Sequence, residues 1–158
     1  MTVAFVGLGS NLGDPAQQVR TALAELDGLA HTRVVRRSSL YRSAPVGHAP
    51  QPDYVNAVAQ LETGLPAERL LGELQEVEQR HGRVRSFANA PRTLDLDLLL
   101  FGDLELRSES LTLPHPRLHE RRFVLEPLAE IADAQIPGRG RARALLERVR
   151  DQPVEKLQ

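Results

Sequence analysis

The sequence predicts an α+β sandwich of the ferredoxin-like kind, in which helices pack on a mainly antiparallel sheet. Two stretches with helical periodicity each lie between stretches of strand length, so the elements follow β-α-β, β-α-β and then a helical tail. The length of 158 residues and the 41% hydrophobic content suffice for one compact core. We therefore expect a single domain over residues 1–158.

The first β-α-β unit begins with a short apolar run at residues 3–8, which predicts a central strand. Residues 9–13 are rich in glycine and small polar side chains, and we interpret them as a turn. Asp14 is a preferred N-cap residue, and Pro15 suits the first position of a helix that should end near Leu26.

The second unit follows a predicted strand at residues 32–41 and a proline-rich loop at residues 43–52. Residues 53–63 alternate and predict another strand, with Val55, Ala57, Ala59 and Leu61 on one face and Tyr54, Asn56 and Val58 on the other. Pro66 opens a helix that should end at about His81, because Gly82 is the residue type preferred after a helix C-terminus.

Residues 94–101 carry the most informative pattern in the chain, because apolar and acidic residues alternate from Leu94 to Leu98 as in a half-buried strand. One face is expected to carry Leu94, Leu96, Leu98 and Leu100, and the other Asp95, Asp97, Leu99 and Phe101. At about 3.3 Å per residue the two aspartates lie about 6.6 Å apart, which suits one hard cation or a pair of cations about 3.5–4 Å apart. Aspartate is depleted in strands, so a metal site explains the pair better than an ordinary exposed edge.

A second long loop, at residues 82–92, leads directly into this acidic strand and carries Arg83, Arg85 and Arg92. Arginines beside a two-carboxylate metal site can neutralise the charge of a polyphosphate as it is transferred. Together the loop and the strand therefore predict a polyphosphate site.

The rest of the chain is less informative. We expect short strands at residues 104–106 and 111–113, an irregular or helical segment from Pro114, and a last helix at about residues 141–149.

The composition excludes several classes of function. The net charge of -1 argues against nucleic-acid or anionic-membrane binding, and no apolar run approaches the ~20 residues of a membrane span. The N-terminus lacks the pattern of a signal peptide and the chain has no cysteine, so we expect a cytoplasmic protein. Lys156 is the only lysine, which excludes a lysine-containing phosphate loop.

Five motifs occur in one order across nearly the whole chain. They are Gly-Ser-Asn-Leu at residues 9–12, Pro-Asp-Tyr-Val-Asn-Ala at 52–57, Gly-Arg-Val-Arg at 82–85, Pro-Arg-Thr-Leu-Asp-Leu-Asp at 91–97 and Leu-Pro-His-Pro-Arg at 113–117. Together they resemble 6-hydroxymethyl-7,8-dihydropterin pyrophosphokinase of folate biosynthesis. The resemblance implies transfer of the β,γ-pyrophosphoryl unit of ATP to the hydroxymethyl oxygen of the pterin, with release of AMP.

The resemblance also implies roles for individual residues. Asp95 and Asp97 would hold two Mg²⁺ ions and would act in catalysis with Arg83 and Arg92. The ATP site would contain Leu71, Gln75, Glu78, Arg83, Arg85, Arg92, Leu98, Thr112, His115 and Arg121. The pterin site would contain Ser43, Ala44, Val46, Tyr54, Asn56 and Phe123. There the Asn56 amide would match the donor and acceptor edge of the pterin, and Phe123 would offer a stacking face.

The chain departs from the family pattern at three places. Some relatives carry an aromatic residue shortly before Pro91, where this chain has alanine and asparagine, and Phe87 comes earlier. Ser110 and Pro116 stand where an arginine and an aromatic residue can occur. We therefore expect the contacts of the arginine loop and one phosphate or adenine contact to differ.

Two other functions fit parts of the pattern. A different two-metal nucleotidyl transferase would use Asp95 and Asp97 to place AMP on another acceptor. An RNA-binding module would display aromatic side chains on its sheet, but aromatics make up only 4% of this chain. We expect a monomer that binds ATP and a hydroxymethyl dihydropterin and that binds neither nucleic acid nor a membrane.

Overall fold

The computed structural model describes residues 1–44, 52–82 and 94–157 of the chain. These residues form four α-helices, which are α1 (Pro15–Asp27), α2 (Ala67–Arg80), α3 (Arg122–Ile131) and α4 (Ala142–Glu147). They form ten strands, which are β1 (Thr2–Ser10), β2 (Thr32–Arg37), β3 (Tyr41–Ser43), β4 (Tyr54–Thr63), β5 (Asp95–Phe101), β6 (Leu106–Arg107), β7 (Thr112–Leu113), β8 (Gln135–Ile136), β9 (Gly140–Arg141) and β10 (Val154–Lys156). A short 3-10 helix at Leu118–Glu120 precedes α3.

Six of the strands form one antiparallel sheet in the spatial order β10-β3-β4-β1-β5, and β2 pairs with β4 beyond the end of β3. β1 is central, because it pairs with β4 on one side and with β5 on the other. The predicted antiparallel sheet with packed helices is confirmed. The short strands expected near residues 104–113 correspond to β6 and β7, which form a separate hairpin.

Helices cover both faces of this sheet. On β1, Val6 and Leu8 are buried in a cluster with α1 and α2, whereas Phe5 is buried in a second cluster with α3 and α4. β4 alternates in the same way, since Ala57 belongs to the first cluster and Val58 to the second. Because successive side chains of a strand point to opposite faces of the sheet, β1 and β4 each contribute apolar side chains to both clusters.

Both helices predicted in the first half of the chain are confirmed. The Asp14 carboxylate accepts a hydrogen bond of 3.2 Å from the backbone N–H of Gln17, and Pro15 follows as the first residue of α1. α2 begins directly after Pro66 and is followed by Gly82, whose φ of 78° lies in the left-handed region that favours glycine.

β5 departs from the predicted alternation at Leu99. The register with β1 shifts between Phe5 and Val6, which leaves Leu99 as an extra residue in the ladder. Leu100 therefore packs towards α3 and α4, and Phe101 packs against the cluster of α1 and α2. The faces predicted for Leu100 and Phe101 were wrong, because a bulge exchanges the two faces for every residue after it.

β1 extends through Ser10, two residues beyond the predicted strand, so Gly9 lies in the sheet and not in a turn. Gly9 pairs with Asn56 of β4 and with Asp95 of β5. The turn prediction at this position was wrong, because hydrogen-bonded neighbours on both sides outweigh the weak preference of glycine for strands.

The strand predicted at residues 32–41 is divided into β2 and β3. Ser38 lies between them, where its backbone N–H donates to the Val58 carbonyl and its hydroxyl accepts from the Val58 N–H, both at 2.9 Å. Ser38 thus provides hydrogen-bond partners for both backbone groups of Val58 in β4, at the point where β2 has ended and β3 has not yet begun.

α3 was not predicted as a defined helix, because Pro127 lies inside it and proline usually ends a helix. Leu125 and Leu128 of this helix are fully buried against the sheet, and this packing outweighs the missing backbone hydrogen bond. The last predicted helix corresponds to α4 and is shorter than expected. None of the helices in the described parts of the chain is long and apolar enough to cross a lipid bilayer.

Candidate active site

The two aspartates of β5 lie on the sheet face that carries α3 and α4. Asp95 and Asp97 are half-buried, whereas Leu96 between them is buried on the opposite face. Their partners on β1 are Gly9 and Gly7, respectively. Because neither glycine has a side chain, the sheet beside both carboxylates stays free of side chains from β1.

Asn56 lies on the other side of β1, since it pairs with Gly9 from β4. Asp95, Gly9 and Asn56 therefore form one row across three strands, and the α-carbons of Asn56 and Asp95 lie about 10 Å apart at the usual strand spacing. Asn56 is 5% exposed, and its Oδ1 accepts a hydrogen bond of 2.6 Å from the Ser43 hydroxyl. This bond holds the amide with its Nδ2 towards Gly9.

Gly9 sets the space between these groups. A Cβ atom on residue 9 would lie 3.2 Å from Asn56 Nδ2 and 3.7 Å from Cδ1 of Tyr54. The first distance is shorter than an ordinary carbon–nitrogen contact, so any side chain here would displace the amide. Tyr54 is half-buried and its ring lies close to the Gly9 backbone.

His115 is held next to the aspartates. Its backbone N–H donates to the Leu99 carbonyl at 2.9 Å, and its Nδ1 accepts from the Arg117 backbone N–H at 3.2 Å. Its Nε2 lies 4.0 Å from Oδ1 of Asp97. Burial, with the nearby charges of Arg121 and Arg117, lowers the pKa of His115 to about 4 despite the attraction of Asp95. At neutral pH the ring is therefore uncharged and carries its proton on Nε2, because Nδ1 is the acceptor.

Arg121 and Phe123 stand together at the start of α3. The guanidinium carbon of Arg121 lies 5.5 Å from the centroid of the Phe123 ring, which is a cation–π geometry. Burial, followed by repulsion from Arg117, lowers the pKa of Arg121, while Asp97 and Asp95 act in the opposite direction. Arginine remains charged throughout the physiological range, so Arg121 supplies a fixed positive charge near both aspartates.

A cavity of about 270 Å³ runs along the outer edge of β5, between α2 and β7. Six of the residues predicted for the ATP site line it, together with Asp97. These are Leu71, Gln75, Glu78, Leu98, Thr112 and His115. Ser110, which stands where relatives can have an arginine, also lines this cavity.

Glu78 also contacts β5 directly. Its side chain is buried, and Oε2 accepts a hydrogen bond of 2.8 Å from the backbone N–H of Leu96. Leu96 lies between Asp95 and Asp97, so the Glu78 carboxylate binds the backbone of β5 at the residue that separates the two aspartates. Gln75, one helical turn earlier, is exposed.

Several predicted site residues lie outside the described residues. These are Val46, Arg83, Arg85 and Arg92, together with Phe87. Ala44 is described and is exposed directly after β3. In residues 1–44, 52–82 and 94–157, no group of three or more histidine or acidic side chains has the geometry of a metal site. Any cation at Asp95 and Asp97 would therefore need further oxygen ligands, such as those of a triphosphate.

Sequence reasoning missed three contributors to this region. Gly7 and Gly9 were not expected beside the aspartates, although small residues at alternate positions between large apolar ones could have indicated an open strand face. Arg117 was quoted only as part of a motif, and its charge reaches both His115 and Arg121.

Comparison with known proteins identifies the family. Residues 5–133 match the family described as 7,8-dihydro-6-hydroxymethylpterin-pyrophosphokinase (HPPK). The chain belongs to the HPPK family. The resemblance noted in the five sequence motifs is thereby confirmed.

Bacterial relatives match over most of their length, and each of the three described here is called 2-amino-4-hydroxy-6-hydroxymethyldihydropteridine pyrophosphokinase. The Haemophilus influenzae protein is 45% identical over 158 residues, which is 99% of each chain. The Pseudomonas aeruginosa protein is 44% identical over 97% of this chain and 95% of its own. The Bacillus subtilis protein is 43% identical over 82% of this chain and 77% of its own.

Solved structures support the HPPK fold. The Plasmodium falciparum HPPK-DHPS wild type with SDX-DHP superposes with a TM-score of 0.68 at 13% identity. The similarity covers 94% of this chain but only 43% of that longer chain. At this level of identity the structural match concerns the fold alone.

Proposed function

We propose that this HPPK-family chain transfers the β,γ-pyrophosphoryl unit of ATP to the hydroxymethyl oxygen of 6-hydroxymethyl-7,8-dihydropterin, releases AMP and thereby serves folate biosynthesis. The observation that carries the proposal is the row of Asp95, Gly9 and Asn56 across three strands. This row supports the proposal, because a carboxylate suited to the phosphate end and an amide suited to the heterocycle share one open face, about 10 Å apart.

Two Mg²⁺ ions fit the donors at one end of this row. Asp95 and Asp97 offer carboxylate oxygens, which are the ligands Mg²⁺ prefers, and both are half-buried on one strand face with glycine beside them. Bound there, the ions would neutralise the triphosphate and activate the acceptor hydroxyl. Glu78 would keep the two aspartates in place, because its carboxylate binds the Leu96 N–H between them.

The remaining charged groups fit the nucleotide. Arg121 presents a fixed positive charge near Asp95 and Asp97, and the uncharged His115 has an N–H that can donate to a phosphate or ribose oxygen. Arg83 and Arg92 would act with them, in a site where catalysis depends on alignment and charge neutralisation rather than on a strong base. The ATP would lie along the cavity at the edge of β5.

The pterin would lie between the rings of Tyr54 and Phe123. The Ser43 hydroxyl fixes the Asn56 amide, so Nδ2 is presented as a donor in one orientation. A flat heterocycle with a matching edge is therefore preferred over other acceptors.

The test is to incubate the chain with ATP, Mg²⁺ and 6-hydroxymethyl-7,8-dihydropterin and to separate the nucleotides by chromatography. We expect free AMP in equal amount to the pterin diphosphate, formed only when the pterin is present, and no turnover after chelation of Mg²⁺. AMP attached to the acceptor would indicate a nucleotidyl transferase instead. Formation of ADP would indicate a simple kinase, and either result would contradict the proposal.

We also propose that residues 1–158 act as one pyrophosphokinase domain with a ferredoxin-like arrangement. The order β1-α1-β2-β3-β4-α2-β5, with β1 between β4 and β5, supports this assignment. That the protein is a cytoplasmic monomer that binds neither nucleic acid nor a membrane stays a prediction.

A further inference from the structure

A second cavity lies on the same side of the sheet as α3 and α4, at the opposite end from β5. It has a volume of about 450 Å³ and is bounded by β3, β10, α3 and α4. It shares no lining residue with the cavity beside Asp97. Small organic ligands typically occupy cavities of about 300–1,000 Å³, so this one is large enough for more than a simple ion.

The walls of this cavity carry an excess of positive charge. Its cationic residues are Arg122, Arg143, Arg150 and Lys156, and its acidic residues are Glu126 and Glu130. The lining therefore has a net charge of +2, from four cations and two carboxylates, in a chain whose total is -1. A concave surface with a net positive charge attracts anions.

Both carboxylates are already bound within the protein. Glu126 lies 3.0 Å from Nε of Arg122 and 3.9 Å from Arg150. Glu130 accepts hydrogen bonds from the Tyr41 hydroxyl at 2.7 Å and from the Ser39 hydroxyl at 2.8 Å. The charge of Lys156 also acts on Glu130, so the two carboxylates offset part, but not all, of the positive charge of the lining.

Two of the cations make no direct ion pair within the described parts of the chain. Arg122 is paired with Glu126, and Arg150 also lies 3.0 Å from Glu147. In contrast, the side chains of Arg143 and Lys156 make no ion pair or hydrogen bond among the described residues. One comes from α4 and the other from β10, so the two unpaired charges reach the cavity from different elements.

The floor of the cavity is apolar. Ala129 and Leu146 are buried there, and Tyr41, which is 5% exposed, contributes its ring. An apolar floor beneath unpaired cations is complementary to a molecule with one aromatic or aliphatic part and one anionic group.

We propose that this cavity binds a small organic anion, with its phosphate or carboxylate group held between Arg143 and Lys156 and its apolar part on Ala129 and Leu146. The site is separate from the proposed reaction, so it does not depend on the assignment of that function. Lys156 pairs with Tyr41, and Tyr41 pairs with Asn56. These pairings place the cavity at the end of this row of residues that is farthest from Asp95.

The test uses phenyl phosphate and inorganic phosphate as probes, added to the whole chain without Mg²⁺ and followed by amide NMR. We expect saturable shifts at residues that line the cavity and tighter binding of phenyl phosphate than of inorganic phosphate. Arg143→Ala and Lys156→Ala should each weaken binding about tenfold or more, because each removes one charge-assisted contact.

Arg148→Ala is the matched control, because Arg148 is an exposed arginine directly after α4 that does not line the cavity. It should bind phenyl phosphate as the unaltered chain does. Absence of saturable shifts, equal weakening by all three substitutions, or binding only at the cavity beside Asp97 would each overturn the proposal. The affinity of benzoate, compared with that of phenyl phosphate, then shows whether the site prefers a carboxylate or a phosphate group.

Discussion

The two faces of the central sheet use the same alternating strands but present different surfaces. Towards α1 and α2, the β1 residues Val6 and Leu8 are buried in one apolar cluster that includes Leu96 of β5. Towards α3 and α4, Phe5 is buried, but the next two positions on that face of β1 are Gly7 and Gly9. One face is therefore a continuous core, and the other changes from core to open surface along a single strand.

This difference shows how a small fold can keep stability and function apart. Large side chains on the covered face stabilise the sheet, while the two glycines and the two aspartates use positions of the other face that contribute little to the core. Substitutions on the two faces should thus have effects of different kinds, even at neighbouring residues.

The largest effect is expected for Asp97→Ala. The side chain is 38% exposed and faces the open surface, so its loss should leave the fold intact. Activity should fall by at least about a thousandfold, because the metal contribution that the carboxylate supports amounts to several kcal/mol. Steady-state kinetics, with urea unfolding as the measure of stability, separates the two effects. Normal turnover with unchanged Mg²⁺ dependence would remove the metal role of Asp97.

The opposite pattern is expected for Leu8→Ala, which lies between Gly7 and Gly9 but on the covered face. Leu8 is 3% exposed, so truncation should lower the free energy of unfolding by about 2–5 kcal/mol through lost burial and a residual cavity. Activity per folded molecule should change little. Leu104→Ala, at a residue that is 40% exposed, is the control and should cost far less stability in the same urea experiment.

A smaller and more specific effect is expected for Gly9→Ala. The new Cβ would lie 3.2 Å from Asn56 Nδ2 and would displace the amide by a few tenths of an ångström. We expect the KM for the pterin to rise about tenfold while the KM for ATP stays the same, because misplacement of one positioning group is costly.

Gly7→Ala is the matched control for this substitution. The atoms nearest to its Cβ would belong to the Leu99 side chain, at an ordinary 3.5 Å, so the amide of Asn56 should keep its place and the KM for the pterin should stay close to that of the unaltered chain. If Gly9→Ala and Gly7→Ala raised the KM for the pterin equally, the result would contradict the spacing role of Gly9.

The smallest effect concerns Glu130, which joins α3 to β3. Burial opposes its ionisation, but hydrogen bonds from Tyr41 and Ser39, with the charge of Lys156, outweigh burial and lower its pKa. Its charge therefore stabilises the fold above the ordinary pKa of a glutamate, and this contribution is lost as pH falls through the lowered value.

Glu130→Gln should accordingly lower the free energy of unfolding at pH 7 by under about 1 kcal/mol, and the difference should shrink in acid. Urea unfolding at several pH values measures this difference. Glu76→Gln, on an exposed part of α2, is the control and should show no such trend. A difference for Glu130→Gln that grows as pH falls would contradict the assigned direction of its pKa shift.

Local patterns sufficed to predict α1, α2, the faces of β4 and the pair of aspartates. Each of these depends on side-chain period or on capping residues that lie within a few positions of one another, such as Asp14 with Pro15. The five motifs, taken together, also sufficed to recognise the family. These features survive in the structure because local preference and tertiary packing agree at those residues.

Other features arise from contacts between residues that are distant in sequence. The bulge at Leu99 depends on pairing with β1, and the place of Gly9 in the sheet depends on partners from both β4 and β5. Likewise, Glu78 meets the Leu96 N–H from another element, and His115 loses its charge through burial among distant side chains. Sequence periodicity identifies which face of a strand or helix a residue occupies. Strand pairing and burial between distant segments decide which groups that residue contacts there, because these interactions form only once the chain has folded.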